Sequence, residues 1–230
     1  MSRIAIVTGG AGSMGRATVE RLRARGVDVT SFDLGQDDPV DVADAAAVER
    51  AVGRVRAERG PVDIVVNCAG VAAGALLDSP QYVEQWERSL AINLTGAMLV
   101  VRACIADLAA SGTGRVVNVA STEALGAQRH TGPYTAAKHG LLGFTRSLAI
   151  DYGRTGMTAN CICPGATDTG MTAGIPPEHK DTFARRHVPV GRYGTPDEIA
   201  YMIVALTEID ASFVNGAVIA VDGGMTARNA

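Results

Sequence analysis

Tyr134 and Lys138 are the residues whose types and spacing most directly suggest catalysis. Residues four apart share one face of a helix, so the phenol and the ammonium can enter one cleft. Lowering the pKa of a phenol from about 10 by three units requires about 4 kcal/mol, and one ammonium about 4 Å away supplies roughly that amount at an effective dielectric constant near 20. We therefore expect Tyr134 to act as a general acid/base.

Ser121 precedes Tyr134 by 13 residues and directly follows the apolar stretch Arg115 to Ala120, which has the character of a strand. Its hydroxyl can therefore lie at the carboxyl edge of a sheet, beside Tyr134. There it could donate a hydrogen bond to a substrate oxygen on which negative charge develops.

A glycine-rich turn follows the first apolar run, with the sequence Thr8-Gly9-Gly10-Ala11-Gly12-Ser13-Met14-Gly15, and a helical pattern begins at once. Glycines allow the backbone to turn tightly and to approach a pyrophosphate, while the amides and the positive end of the helix dipole point at it. Ser13 lies within this turn, and its hydroxyl could bind phosphate. The turn predicts a dinucleotide site.

Asp33 ends the second predicted strand, 18 residues after Gly15. An acid at this distance accepts hydrogen bonds from the adenosine ribose hydroxyls and repels a 2′-phosphate. Residues 31–41 contain no Lys or Arg that could receive that phosphate. The sequence therefore predicts NAD as cofactor in preference to NADP.

Apolar runs of strand length alternate with longer helical patterns, which predicts a doubly wound parallel sheet with helices on both faces, the α/β Rossmann architecture. Ligands of such sheets lie beyond the carboxyl ends of the strands, where the residues above are found. No linker or repeat divides residues 1–230, so we expect one domain. The predicted strands are Arg3 to Thr8, Val27 to Phe32, Ile64 to Asn67, Arg115 to Ala120, Thr158 to Cys163 and Val218 to Val221, and the predicted helices are Met14 to Arg25, Ala43 to Arg59, Gln81 to Ala110 and Tyr134 to Gly153.

Only seven residues separate Asp33 from Asp41. A parallel crossover needs about a dozen residues or more, so a helix and a further edge strand cannot fit there.

Composition narrows the possible partners. The 24 acidic residues against 21 basic ones give a net charge of −3, which does not favour nucleic-acid binding. The apolar runs fall short of the roughly 20 residues that span a bilayer, and no secretory signal is evident, so we expect no membrane partner and a cytoplasmic location.

The four cysteines, Cys68, Cys104, Cys161 and Cys163, lack the spacing of a zinc site, so no metal is expected. We expect them to be reduced and mostly buried. Cys161 and Cys163 alternate with Ile162 in a predicted strand, which places both sulfurs on one face.

Taken together, these signals resemble the short-chain dehydrogenase/reductase family over essentially the whole chain. The order and spacing of Ser121, Tyr134 and Lys138 are the most specific part of this resemblance. The other residues that carry it are Thr8-Gly9 with Gly15, Asn67-Cys68-Ala69-Gly70, Asn93, Tyr134-Thr135-Ala136-Ala137-Lys138, Pro164-Gly165 and Asp222-Gly223-Gly224.

Members of this family normally have a helix and most of a third strand where this chain has only the seven residues between Asp33 and Asp41, and they usually have glycine at the position of Ser13. The resemblance therefore implies that the third strand is shortened or missing together with its preceding helix, which would open the adenine side of the site.

The resemblance also implies roles beyond those argued from the residues. Lys138 would also bond the nicotinamide ribose, and Asn93 would help to hold a water that relays protons. It also implies a homotetramer, or a homodimer, packed through the two long helices, for which Leu99, Ile105, Leu142 and Leu148 are candidate contacts. The cofactor contacts implied by the residues and the resemblance together are Gly9, Gly12, Ser13, Met14, Gly15, Asp33, Asp41, Val42, Asn67, Ala69, Gly70, Tyr134, Lys138, Pro164, Gly165, Thr167 and Thr169.

Residues from about 170 to 196 resemble the mobile substrate lid of the family, and their modest length favours a small or medium alcohol or ketone. Glu123, Gln128 and His130 are candidate substrate contacts, and Arg129 with His130 weakly suggests a polar or anionic substrate.

Three functions fit the sequence: an NAD-dependent secondary-alcohol dehydrogenase, an NADPH-dependent ketoacyl-type reductase, and a catalytically silent dinucleotide-binding regulator. Asp33 favours the first over the second. The Asn93, Ser121, Tyr134 and Lys138 set opposes the third.

Overall fold

A computed structural model describes residues 2–228. Its centre is a six-stranded sheet in the order β2-β1-β3-β4-β5-β6, and every neighbouring pair is parallel. The chain thus forms the predicted single-domain α/β fold. The strands are β1 (Ile4–Thr8), β2 (Asp28–Phe32), β3 (Ile64–Asn67), β4 (Arg115–Val119), β5 (Thr158–Pro164) and β6 (Val218–Val221).

The helices cover both faces of the sheet. Their bounds are α1 (Ser13–Arg23), α2 (Ala45–Glu58), α3 (Tyr82–Leu90), α4 (Ala97–Ala110), α5 (Gly132–Tyr152), α6 (Pro177–His187) and α7 (Pro196–Ala205). The strands and helices that the sequence predicted begin and end within two residues of these bounds.

Each face of the sheet has its own apolar core, because successive strand residues point to opposite sides. Ala5 and Val7 of β1 pack with Leu22 of α1 and Ile203 of α7. Ile6, between them, belongs to the opposite core with side chains of α2, α4 and α5. Two-sided burial explains why the strands are continuously apolar.

The predicted helix Gln81 to Ala110 is interrupted in the structure, because the π-helical turn Ala91–Gly96 joins α3 to α4. By length and composition alone, the whole helix Tyr82–Ala110 is apolar enough to cross a membrane. The sequence prediction is based on uninterrupted apolar runs, and this helix is interrupted by charged residues, among them Arg88 and Arg102. The helix packs against α2, α5 and β3, which accounts for its apolar character as that of a core helix.

The structure confirms the prediction that a helix and a third strand are missing after β2. Residues 33–44, all within the described part of the chain, form only turns and bends between β2 and α2. Backbone amides of Gly35 and Ala43 donate to the carboxylates of Asp33 and Asp41, and Asp44 caps α2 by accepting from the amides of Ala46 and Ala47. As a result, β2 is the edge strand of the sheet.

The cysteines follow the prediction. Cys104, Cys161 and Cys163 are buried, Cys68 is half-buried, and all four are free thiols. Cys161 and Cys163 lie in one apolar cluster while Ile162 lies in another, as expected for alternate residues of a strand. No cluster of metal-ligating side chains occurs within residues 2–228.

Candidate active site

The strand order places β1 and β3 side by side with β2 on the outer flank of β1. Connections from β1 and β3 therefore leave in opposite directions, and a crevice opens between them at their carboxyl ends. The glycine-rich turn after β1 and the residues after β3 form its walls.

Gly9 and Gly15 are required by the geometry of this turn. Gly9 has φ of +66°, and a Cβ there would lie 2.7 Å from the Ala69 amide nitrogen. A Cβ at Gly15 would lie 2.1 Å from the carbonyl oxygen of Gly9. Gly12 caps α1 without a side-chain hydrogen bond, so the first helical amides can face a ligand. These features fit a dinucleotide pyrophosphate.

A cavity of about 500 Å³ lies against the turn. Of the predicted cofactor residues, Gly9, Gly12, Ser13, Met14, Gly15, Gly70 and Thr169 line it. The Ser13 hydroxyl also accepts a hydrogen bond from the Gly170 amide at 3.2 Å, which ties the turn to the start of the 170–196 segment.

Arg16 and Arg88 also line this cavity, and sequence reasoning did not single them out. The position of Arg16, next to Gly15 in the first turn of α1, was the available signal. Two guanidinium groups add positive charge where a pyrophosphate would lie.

Asp33 lies at the end of β2, next to the turn. Its Oδ2 accepts from the Ala11 amide at 3.0 Å and its Oδ1 from the Gly35 amide at 2.9 Å. Asp41 lies farther along the same link, and Val42 is buried against Gly96, which has no room for a Cβ beside it. Asp33, Asp41 and Val42 border neither this cavity nor the one that holds Tyr134.

Ser121, Tyr134 and Lys138 are brought together as predicted. Ser121 follows β4, Tyr134 lies in the first turn of α5 and Lys138 one turn later, and all three line a second cavity of about 610 Å³. Met14, Cys68, Gly70, Ala72, Thr169 and Met171 line both cavities. The second cavity therefore continues from the first.

Lys138 is more deeply enclosed than a solvated lysine would be. Its side chain is 4% exposed, and Nζ donates to the carbonyl oxygen of Val119 at 2.8 Å. Burial lowers the pKa of Lys138 to about 8. The Nζ atom lies 5.5 Å from the centre of the Tyr134 ring.

The pKa of Tyr134 departs from our expectation. Burial raises it above its usual value, and the nearby Ser121 hydroxyl opposes that rise without reversing it. The negative charge of Glu123 raises it further. Lys138 is not among the groups that shift the pKa of Tyr134 in this structure, where burial has the largest influence, so the lowering that we expected from Lys138 stays a prediction.

Asn93 lies in the π-helical turn, and its side chain is fully engaged. Oδ1 accepts from the Val71 amide, while Nδ2 donates to the Val71 carbonyl and the Ser89 hydroxyl, each at 3.0 Å. A Cβ at Gly70 would come within 2.8 Å of Asn93 Oδ1 and 3.6 Å of Lys138 Nζ. Glycine there leaves space between the asparagine and the lysine.

The remaining predicted cofactor residues divide between the cavity and the strands behind it. Pro164, Gly165 and Thr167 line the second cavity. Asn67 is buried behind it, where Nδ2 donates to Asn118 Oδ1 at 2.8 Å, and the Ala69 amide donates to the Thr8 hydroxyl at 3.0 Å. Asn67 and Ala69 thus hold adjacent strand ends together.

Of the predicted substrate contacts, Glu123 and Gln128 line the second cavity, whereas His130 does not. His130 is exposed and has φ of +66°, and Arg129 is also exposed and outside the cavity. The suggestion of a polar or anionic substrate from Arg129 and His130 has no support in this arrangement, because neither side chain lines the cavity. The 170–196 segment adds lining residues that the sequence did not identify, namely Met171, Thr172, Ile175, His179, Phe183 and Tyr193.

Comparison with known proteins agrees with this geometry. The family model described as Enoyl-(Acyl carrier protein) reductase matches residues 9–226. The chain is 37% identical to cis-4-hydroxycyclohexanecarboxylate dehydrogenase of Sinomonas cyclohexanicum, a match covering 98% of this chain and 97% of that protein. It is 36% identical to acetoacetyl-CoA reductase of Rhizobium meliloti (strain 1021), with 97% and 98% covered.

Among solved structures, that of levodione reductase superimposes with a TM-score of 0.92 at 31% identity, covering 99% of this chain and 98% of the other. A family model that spans most of the chain, relatives matched along nearly their whole length and a shared fold all lead to one conclusion. The chain belongs to the short-chain dehydrogenase/reductase family, a family of oxidoreductases that bind a nicotinamide dinucleotide.

Proposed function

We propose that this protein interconverts a small or medium secondary alcohol and its ketone with NAD(H), using Tyr134 as general acid/base. The observation that carries the proposal is the continuity of the two cavities, one against the glycine turn and one holding Ser121, Tyr134 and Lys138. A dinucleotide on the turn would have its reactive end beside these side chains.

Each side chain has a defined task in this mechanism. The turn amides, with Arg16 and Arg88, bind the pyrophosphate, and the Ser121 hydroxyl donates to the substrate oxygen. In alcohol oxidation, Tyr134 takes the hydroxyl proton as the carbon–hydrogen bond breaks, and in ketone reduction it returns a proton to the oxygen. Bound nicotinamide dinucleotide supplies the hydride acceptor or donor.

Lys138 and Asn93 assist Tyr134 in this proposal. Lys138 Nζ has donors left after its bond to Val119 and can bond the nicotinamide ribose. Because the side chain of Asn93 is occupied by Val71 and Ser89, its contribution to a proton relay is to shape the space beside Gly70.

The preference for NAD rests on Asp33. Its carboxylate is fixed beside the turn by the Ala11 and Gly35 amides, where it can accept from the ribose hydroxyls and repel a 2′-phosphate. In this interpretation Asp41 and Val42 border the adenine.

The second candidate function is an NADPH-dependent ketoacyl-type reductase. Arg16 and Arg88 at the turn cavity favour it, since either guanidinium could bind an additional phosphate. The similarity to a protein named acetoacetyl-CoA reductase points the same way. Cofactor preference separates the two candidates.

We propose a cytoplasmic homotetramer or homodimer built through α4 and α5. Leu148 is 6% exposed and belongs to the core, so it cannot serve as one of the contacts. Leu99, Ile105 and Leu142 are partly buried, whereas Ile150 of α5 is 83% exposed and is the stronger candidate.

The test is the absorbance change of NADH during turnover of a panel of cyclic, aromatic and hydroxyacid alcohols and their ketones, with NAD and NADP compared. Tyr134→Phe should lower kcat by about 10²–10⁴-fold, because proton transfer is lost, while NADH binding is retained. Tyr152→Phe, a tyrosine at the far end of α5, is the matched control and should stay active.

Undiminished turnover by Tyr134→Phe would contradict the mechanism. Turnover with NADP alone would contradict the cofactor assignment and favour the ketoacyl-type reductase. Tight NADH binding without turnover of any substrate would favour a silent regulator.

A further inference from the structure

Glu123 is a buried carboxylate in the wall of the substrate cavity. It lies in the short 3₁₀ turn Thr122–Ala124 directly after Ser121, and it is 6% exposed. Its Oε2 atom accepts three hydrogen bonds, from the Gln128 amide at 3.1 Å, the Thr131 hydroxyl at 3.0 Å and the Thr135 hydroxyl at 2.7 Å. One carboxylate oxygen thus anchors the 124–131 loop.

The other carboxylate oxygen, Oε1, has no hydrogen-bond donor among residues 2–228. It is also not shielded from solvent, since it is absent from the set of fully buried unpaired polar atoms. Because Glu123 lines the cavity and Oε1 is reached by solvent, a donor on a bound substrate can take the place of water at this oxygen. The free acceptor is therefore available to a substrate.

Few basic side chains surround the cavity that could pair with Oε1 of Glu123. Lys138 and His179 are its only basic lining residues within the described chain. Lys138 Nζ is bonded to the Val119 carbonyl beside Tyr134 and is assigned to the cofactor ribose. Arg129 and His130 do not line the cavity, and neither donates a hydrogen bond to Glu123.

We infer that Glu123 is a specificity-determining residue, whose Oε1 accepts a hydrogen bond from a second donor on the substrate, apart from the reacting carbinol. The inference rests on the proposed function and names its substrate class: secondary alcohols or ketones with an additional hydroxyl or ammonium group. A carboxylate at the same position of the substrate is repelled.

Glu123→Gln tests this arrangement sharply. The three donors on Oε2 require an acceptor at that position, so the amide oxygen must take the Oε2 place and the amide nitrogen the Oε1 place. The loop anchor is kept, while the cavity atom changes from an anionic acceptor to a neutral donor. Removing the charge also removes one cause of the raised pKa of Tyr134, but that effect is common to all substrates, so the order of their affinities reports on the interaction with the Glu123 side chain.

The probes are three cyclohexanols of similar size that carry hydroxymethyl, aminomethyl or carboxylate at carbon 4. Their dissociation constants are measured with the enzyme–NADH complex through the change in NADH fluorescence, which does not require turnover. The wild type should bind the hydroxymethyl and aminomethyl compounds about tenfold to a hundredfold more tightly than the carboxylate. Glu123→Gln should weaken the aminomethyl compound and strengthen the carboxylate.

Thr135→Val is the matched control, because it removes one anchor of Oε2 and leaves Oε1 unchanged. It should lower the thermal stability without changing the order of the three probes. Binding of the carboxylate as tightly as the hydroxymethyl compound, or an equal effect of Glu123→Gln on all three, would overturn the inference. Failure of NADH itself to bind would instead overturn the proposed function.

Discussion

The two ends of the site are held in place by different kinds of contact. At the adenosine end, Asp41 and Asp44 accept hydrogen bonds from amides two or three residues farther along the chain, whereas Asp33 accepts one from the nearby Gly35 amide and one from the Ala11 amide of the glycine turn. At the reacting end, Lys138 contacts Val119 and Asn93 contacts Val71, 19 and 22 residues away. The first end is built mainly by local turns, with one tertiary contact between Asp33 and Ala11, and the second is built by tertiary packing.

This difference predicts how each end responds to change. Local turns on an exposed link can be altered one at a time, because few other groups depend on them. The buried contacts at the reacting end are coupled to pKa values and to the shape of the cavity, so changes there should have larger effects.

The glycine turn, where both ends meet, should be the most sensitive position. Gly15→Ala would place a Cβ 2.1 Å from the Gly9 carbonyl oxygen, so the turn must move, and NADH affinity should fall by at least about a hundredfold. Gly53→Ala, within α2, meets no atom within 4 Å and is the control; it should leave binding unchanged and stabilise the helix by about 0.5–1 kcal/mol. NADH titration and thermal unfolding measure both effects, and unchanged affinity in Gly15→Ala would disprove the tight-turn argument.

The burial of Lys138 should make the free energy of unfolding depend on pH. Its pKa is about 8 in the folded chain against an ordinary value of 10.5, so between these pH values the unfolded state holds a proton that the folded state has lost. The free energy of unfolding of the wild type should therefore rise with pH relative to Lys138→Met, by on the order of 3 kcal/mol over the interval. Urea unfolding of both cofactor-free proteins measures this difference, and parallel pH profiles would show that the ammonium is not desolvated.

Asp33 should give the smallest effect of the three. Asp33→Asn removes the charge that repels a 2′-phosphate, and the ratio of kcat/KM with NADP to that with NAD should rise about tenfold, or about 1.4 kcal/mol. Asp37→Asn makes the same charge change at an exposed position of the same link and is the control. Equal ratios in the wild type and Asp33→Asn would indicate that Arg16 and Arg88, and not Asp33, determine the preference between NAD and NADP.

The sequence predicted the parts of the molecule that depend on short-range patterns. Strands and helices followed from apolar periodicity, the glycine turn followed from its position after β1, and the missing edge unit followed from the spacing of Asp33 and Asp41. Tyr134 and Lys138 share the cavity because a four-residue separation places them on one helix face.

Other features depend on contacts that no local pattern encodes. The raised pKa of Tyr134 and the lowered pKa of Lys138 result from burial by remote elements. The three donors to Glu123 become known only when the 124–131 loop is placed, and the π-helical turn of Asn93 is not visible in an apolar helical pattern.

The shortened link between β2 and α2 also has an evolutionary meaning. An outer strand of a doubly wound sheet forms ladder hydrogen bonds with one neighbouring strand only, which for β2 is β1. Without a strand beyond β2, the register from Ile4 opposite Asp28 to Thr8 opposite Phe32 is complete. A strand and its helix can therefore be inserted or deleted beyond β2 without changing the order or the connections of the strands that position the catalytic residues.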